Sequence, residues 1–429
     1  MNSYNEVKKI VREFEKQKIE YAILRNYTQL INGKYFEFGD IDALVRSSDV
    51  NKIQKILFDN KYIKEKIFPG SKHEGYSKYI AEDRKLVSFH FHINGVTGKH
   101  ITYLDGKTLL KRKLKYKDFW TISKEDLFLL LVFHSLLDKS RFMNKYKKDL
   151  IEVSKENLDF EYIDAMLAKQ VGKHIAKQII NQIVSDRFNE TELLRKKARL
   201  NFIARSPFEF SKVMFFGAIW KLSQLIFTKA PLICFLGMDG SGKTTITNEI
   251  IKILNENKIR NKLIYTGRGK LNILPIQKVG LAYKKKEETI FKKPSARKTI
   301  LYTLASPVFA FDLFLRYWAQ IWPARKKRNI VIADRYATDL LLMANVPFWI
   351  RKCLYSLFPK PTMIIYLYNT PEVLHKRKLS HPIEDLKRQE QIFSQILPKL
   401  KPKPITIKSE TVEKTLNQVA EKVVKRLYP

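Results

Sequence analysis

At 429 residues with 45% apolar composition, the chain has material for two or three domains with sizeable cores, which excludes a disordered protein. Its 80 Lys and Arg outnumber 43 Asp and Glu, and the formal net charge of +37 favours an anionic partner: a nucleotide, a nucleic acid or a membrane surface. The two cysteines, Cys234 and Cys353, exclude a disulfide framework and a zinc site, and suit a reducing compartment.

Residues 4–18 read as an amphipathic helix with Val7, Ile10, Val11 and Phe14 on one face. The charges at short intervals in this segment leave no apolar signal-peptide core, and no run of 18 apolar residues follows anywhere. The expectation is a cytoplasmic protein, with peripheral attachment at the inner face of the membrane left open. Tyr21–Leu24 and Gly39–Val45 read as strands. Asp40 and Asp42, two apart, leave such a strand on one face and are candidate ligands for a divalent ion. Two solvated aspartates at a strand edge are the blander account. Leu86–Ile93 reads as a later strand on which Ser88, His90 and His92 share a face.

The order Leu24-Arg25-Asn26, then Gly39-Asp40-Ile41-Asp42, resembles the nucleotidyltransferase-like domains found in bacterial genes beside thymidylate-kinase-like proteins. The resemblance implies an α+β domain over residues 1–120. In active members a Gly-Ser turn precedes the aspartates and a third carboxylate comes from a later strand. Here Leu24-Arg25-Asn26 stands in place of the turn, and Leu86–Ile93 carries no acidic residue.

Residues 101–119 are basic and read as strand or hairpin connections, and residues 121–207 as a helical extension. Within it Ser123 and Asp126 form a capping-box variant before a buried helix, and 160–184 and 190–204 read as two more helices. Residues 208–230 form an aromatic linker or docking helix, carrying Phe208, Phe215, Phe216 and Trp220; a position in a membrane interface is its alternative.

The C-terminal domain, 231–429, begins with the apolar run Leu232–Leu236 and the turn Gly237-Met238-Asp239-Gly240-Ser241-Gly242-Lys243-Thr244-Thr245. Strand, glycine-rich turn and helix are the context in which GxxxxGK[ST] binds phosphate. Glycines let successive N–H groups approach phosphate oxygens, Lys243 reaches the outer phosphates, and Thr244 offers a hydroxyl to Mg²⁺. A second strand, Asn261–Thr266, leads to Arg268, placed to meet an acceptor. A third, Asn329–Ala333, ends in Asp334-Arg335-Tyr336, where the carboxylate can position Mg²⁺ or take the acceptor's proton and the guanidinium can grip phosphates. Met363–Tyr368 is a fourth strand, with basic residues beyond it suited to a lid at about 376–390.

This half resembles thymidylate kinase and related nucleotide kinases, through Gly237–Thr245, Asp334-Arg335-Tyr336, the strand followed by Asn369-Thr370-Pro371-Glu372, and the arginine-bearing lid. The resemblance implies a P-loop kinase-type parallel sheet with helices on both faces, using ATP and Mg²⁺. It implies catalytic roles for Lys243, Asp239, Asp334 and Arg335. Nucleotide would be held by Gly237, Gly240, Ser241, Gly242, Lys243, Thr244, Thr245 and the lid residues Arg377 and Arg388. Acceptor contacts would come from Arg268, Arg316 and Tyr336, and the C-terminal metal from Thr244 and Asp334. The insertion 270–322 and the sequence Gly267-Arg268-Gly269 depart from the family and leave the acceptor open. The function expected is transfer of the γ-phosphate of ATP to a small molecule, a nucleoside monophosphate being one candidate. The alternatives are nucleotidyl transfer at Asp40 and Asp42, or an ATP-gated module at nucleic acid or a membrane. A homodimer and a peripheral membrane contact stay open as partnerships.

Overall fold

The first helix, Ser3–Lys16, starts where the Asn2 side chain accepts the Asn5 N–H at 2.9 Å, and it buries Val7, Ile10, Val11 and Phe14 as its spacing predicts. The structure is a computed structural model, and it describes residues 2–26, 40–65, 72–98, 102–139, 141–227, 230–267, 273–274, 296–343 and 346–427. These divide into two compact units, one ending at Phe227 and the other running on to Leu427.

The strands of the first unit are β1 (Tyr21–Ile23), β2 (Ile41–Val45), β3 (Ile63–Lys64), β4 (His73–Ile80), β5 (Lys85–Ile93), β6 (Gly95–Thr97), β7 (Thr102–Asp105), β8 (Leu114–Tyr116) and β9 (Phe119–Thr121). Seven of them make a mixed sheet in the order β3-β4-β5-β2-β1-β9-β8, with β6 and β7 forming a separate hairpin. Alternation assigns its two faces. Tyr21, Ile23, Ile41, Ala43 and Val45 pack under the first helix and the helix Val50–Asp59. Ala22, Leu24 and Leu44 pack instead against the helices that follow β9. Asp42 belongs to this second face, and β2 lies parallel to β5 so that Asp42 sits opposite His90 and Leu44 opposite His92.

The helical extension is more broken than expected. Ser123 caps the helix Lys124–Phe133, its hydroxyl accepting the Asp126 N–H at 3.2 Å. That helix continues as a π-helical turn, His134–Lys139. The segment 160–184 is two helices, Phe160–Val171 and Lys173–Val184, because Gly172 adopts φ 93° between them. The stretch expected as one helix over 190–204 is likewise Phe188–Leu193 followed by Arg195–Arg205. The aromatic segment is the helix Pro207–Phe227, on which Phe208 and Phe215 are 79% and 63% exposed.

The second unit is the parallel sheet that the apolar runs predict. Its strands are β10 (Leu232–Gly237), β11 (Asn261–Tyr265), β12 (Ile330–Asp334), β13 (Met363–Tyr368) and β14 (Ile405–Lys408), in the order β11-β12-β10-β13-β14. Every pairing is parallel. β10 and β12 are buried along their whole length, which is why they read as unbroken apolar runs. The helices lie on both faces. Ile246, Ile250, Ile253 and Leu254 turn the helix Lys243–Glu256 inward, while another core gathers Phe309, Leu313, Tyr317 and Ile321. Of the insertion, the described part is residues 273–274 and the helix Ala296–Arg316, which runs into a π-helical turn at Tyr317–Ile321. The lysine runs at 284–286 and 292–293 lie outside the described residues. Among the described residues, no helix is long and apolar enough to cross a membrane.

Candidate active site

β10 delivers the chain into the glycine loop. Gly237 has φ 153°, and a Cβ there would come within 2.3 Å of the Leu367 carbonyl oxygen on the neighbouring β13. Only glycine lets the two backbones run so close. Gly240 and Gly242 follow at φ 84° and 81°, turning the chain so that Lys243 opens the next helix. The Lys243 ammonium curls back over the loop, donating to the carbonyls of Gly237 at 2.9 Å and Met238 at 2.7 Å. Burial pulls its pKa down to about 8, with Arg335 adding to the depression and Asp239, Asp334 and Asp339 opposing it. Ser241 is buried beneath the ammonium, whereas Thr244 and Thr245 are exposed at the start of the helix.

The parallel register sets Asp334, the last residue of β12, opposite Phe235 of β10 and Tyr265 of β11. From there its Oδ2 accepts the Thr244 hydroxyl at 2.8 Å. Asp334 is only 5% exposed, yet its Oδ1 has no hydrogen-bond partner among the described residues. A buried carboxylate with one unused oxygen beside a threonine hydroxyl is a hard-oxygen donor set, and it fits Mg²⁺. Among the described residues, no three His, Cys, Asp or Glu side chains cluster as metal ligands, so that fit rests on a carboxylate and a hydroxyl.

Arg335 follows at φ 70°, a conformation that costs a non-glycine residue energy and often marks a working site. Its guanidinium pairs with Asp239 of the loop at 2.6 Å and approaches Asp339 at 3.6 Å. Burial disfavours its charge, but Asp339 and Asp239 outweigh burial and hold the group firmly protonated. Asp239 is also met from the helix Ile383–Ile396. Gln389, on the helix Ile383–Ile396, accepts the Asp239 N–H at 3.2 Å and donates to Asp385 at 2.8 Å. The sequence reading assigned no role to Asp339 or Gln389. Asp339 lies one turn beyond Arg335, and Gln389 is adjacent to Arg388; that spacing was the available signal.

Other expected residues stand differently. Arg388 pairs with Asp385 at 2.7 Å, the carboxylate that Gln389 also donates to. Arg377 donates to the Ser409 hydroxyl and to the carbonyls of Ser409 and Glu410, at 2.8 to 3.0 Å, and makes no bond to the glycine loop. Arg316 is 1% exposed, bound to Asp312 one turn before it and to the Gly267 carbonyl at 3.1 Å. It thereby holds Gly267, and Arg268 lies outside the described residues. Tyr336, expected as an acceptor contact, is 2% exposed, packs on Phe358 and donates its hydroxyl to the Pro359 carbonyl at 2.7 Å.

In the first unit, Asp40 and Asp42 have different nearest partners. Asp42 is buried and its Oδ2 accepts the Arg25 Nε–H at 2.6 Å, while His92 Nε2 lies 3.6 Å from its other oxygen. Burial would raise the carboxyl's pKa, but Arg25 and His92 hold it well below the usual range. Asp40 is half exposed and 3.5 Å from His90 Nδ1. His90 Nε2 lies 3.2 Å from Glu65, and although burial opposes its charge, Glu65 and Asp40 raise its pKa to about 9. Ser88 turns to Ser77, 2.6 Å away on β4.

The sequence model of an uncharacterised nucleotidyltransferase family matches residues 1–180. That of the thymidylate kinase family matches residues 235–423. The chain joins a nucleotidyltransferase-like domain to a thymidylate-kinase-like domain. Among solved structures, thymidylate kinase from Candida albicans aligns at 21% identity over 47% of this chain and 94% of its own, with a TM-score of 0.34. No curated protein matches. The thymidylate-kinase-like match spans the glycine loop, Asp334-Arg335 and the helix Ile383–Ile396, whereas the nucleotidyltransferase-like match takes in Arg25, both aspartates and the histidines of β5.

Proposed function

We propose that the thymidylate-kinase-like domain transfers the γ-phosphate of ATP to a small-molecule acceptor, with a nucleoside monophosphate as the first candidate. The observation that carries this reading is the contact between the Thr244 hydroxyl and Asp334, which leaves one oxygen of a buried carboxylate unused beside the glycine loop.

In this reading the backbone from Gly237 through Gly240, Ser241 and Gly242 to Thr245 cradles the phosphates, and Lys243 exchanges its two carbonyl partners for phosphate oxygens. Thr244 and Asp334 would hold Mg²⁺, which neutralises charge on the outer phosphates. Arg335 is pre-aimed by Asp239 and Asp339, so it can stabilise the transferring group without reorganising. Asp239 lies beside Arg335 and accepts or orients the acceptor's hydroxyl or phosphate. Gln389 links Asp239 to the lid, so that lid position and acceptor engagement move together. Arg388 acts from the lid through Asp385, Arg377 fastens the lid to the residues after β14, and Arg316 holds the Gly267 carbonyl, while the acceptor role of Arg268 stays an expectation from the sequence.

The test is phosphorylation of a panel of nucleoside monophosphates and related small molecules by the purified chain, with and without Lys243→Ala. Wild type should label an acceptor and the variant should lose at least about 100-fold in rate with its fold intact. Full transfer by the folded variant would sink the assignment.

A further inference from the structure

The nucleotidyltransferase-like domain holds a cavity of about 240 Å³, lined among others by Arg25, Asp42, His90, His92, His134 and Lys139. Roughly eight water molecules would fill that volume, so a phosphate-bearing group has room there. A divalent cation does not fit its donor set. Both oxygens of Asp42 face side-chain nitrogen, from Arg25 at 2.6 Å and His92 at 3.6 Å. The strand position opposite Asp42, where a further carboxylate would complete a metal site, carries His90. Asp40 turns to that same histidine.

Arg25 is fixed in this place. Its Nη1 donates to His134 Nε2 at 3.1 Å and to the Tyr146 hydroxyl at 3.0 Å, in addition to the Nε bond to Asp42. His134 receives that bond because its Nδ1 faces Asp138 at 3.2 Å, an arrangement made by the π-helical turn His134–Lys139. Among the described residues, the two N–H groups of Arg25 Nη2 have no hydrogen-bond partner. The two N–H bonds of one guanidinium nitrogen diverge, and each can donate to an oxygen of a phosphate or carboxylate. Lys139 is exposed at the same cavity and adds a second cation.

We infer that this cavity is a metal-independent anion site, in which Arg25 occupies the place of a divalent ion and offers Nη2 to a phosphate group. The domain then binds a phosphorylated small molecule rather than assembling a two-metal centre for nucleotidyl transfer. This inference does not depend on the kinase reading of the other domain.

The test uses the full chain, labelled with ¹⁵N in the histidine rings. Only 8 histidines are present, and four of them line the cavity. Inorganic pyrophosphate titrated in the presence of EDTA should shift the ring signals of His90 and His134 to saturation. Stoichiometric Mn²⁺ without an anion should leave those two rings unbroadened. Arg25→Met should lose the pyrophosphate shift; if that variant does not fold, the two wild-type titrations still decide. Absence of a shift with pyrophosphate, or broadening of His90 and His134 by Mn²⁺ alone, would overturn the inference.

Discussion

Lys243 should take up a proton when nucleotide binds. In the free protein its pKa falls from 10.5 to about 8, chiefly through burial. At roughly 1.4 kcal/mol per unit, this depression is worth about 3 kcal/mol against the charged form. The folded value lies below the unfolded one, so below about pH 8 the lysine opposes folding in full, and the opposition fades as pH rises from about 8 to 10.5. A bound triphosphate places negative charge against Nζ and reverses the depression. At pH 8 about half of the lysines are neutral beforehand, so binding should take up roughly half a proton; at pH 6.5 this group should contribute almost none. Calorimetric titration with a non-hydrolysable ATP analogue, in buffers of different ionisation enthalpy at both pH values, measures the uptake directly. Identical heats across buffers at pH 8 would refute the reasoning, as would an unchanged uptake in Lys243→Met.

Gly237→Ala should lower stability by about 2 kcal/mol or more, read as a drop in melting temperature, because its Cβ meets a backbone carbonyl at 2.3 Å and its φ is 153°. Tyr336→Phe should cost about 1 kcal/mol in chemical denaturation through the lost bond to Pro359 and leave turnover unchanged; a large fall in rate would return Tyr336 to the acceptor site. Glu65→Gln should lower the His90 pKa from about 9 toward 6.5, measured by NMR titration of the ring. Because the folded value is raised, the stabilisation from this pair is complete below about pH 6.5 and lost as pH climbs through 9, and the variant should lose most of that pH dependence.

The kinase-type sheet was legible because its chemistry is local. A buried parallel strand, a glycine loop and an amphipathic helix are contiguous in sequence, and Asp334 ends a strand whose apolar run announces burial. The pairing of Thr244 with Asp334 follows once β10 and β12 are neighbours. What was not legible depends on contacts distant in sequence. Arg25 stood out as a departure from a Gly-Ser turn, but that it would neutralise Asp42 required β1 to lie beside β2 and His134 to arrive on a π-helical turn. Tyr336 follows two site residues in sequence, and that its ring packs into the core beyond the end of β12 was not visible there. Arg316 looked like an acceptor contact on a helix; its partner Asp312, one turn away, was visible in the sequence, but its burial was not. The break at Gly172 reflects a backbone conformation that a helical pattern of apolar residues does not reveal.

The most direct test of the account follows the fate of ATP labelled separately at its α- and γ-phosphates, incubated with the purified chain, Mg²⁺ and candidate acceptors. γ-Label should appear on an acceptor, no α-label should be transferred, and the γ-transfer should be lost in Asp334→Asn. α-Label on an acceptor with release of pyrophosphate, or free phosphate as the sole product with every acceptor, would contradict it.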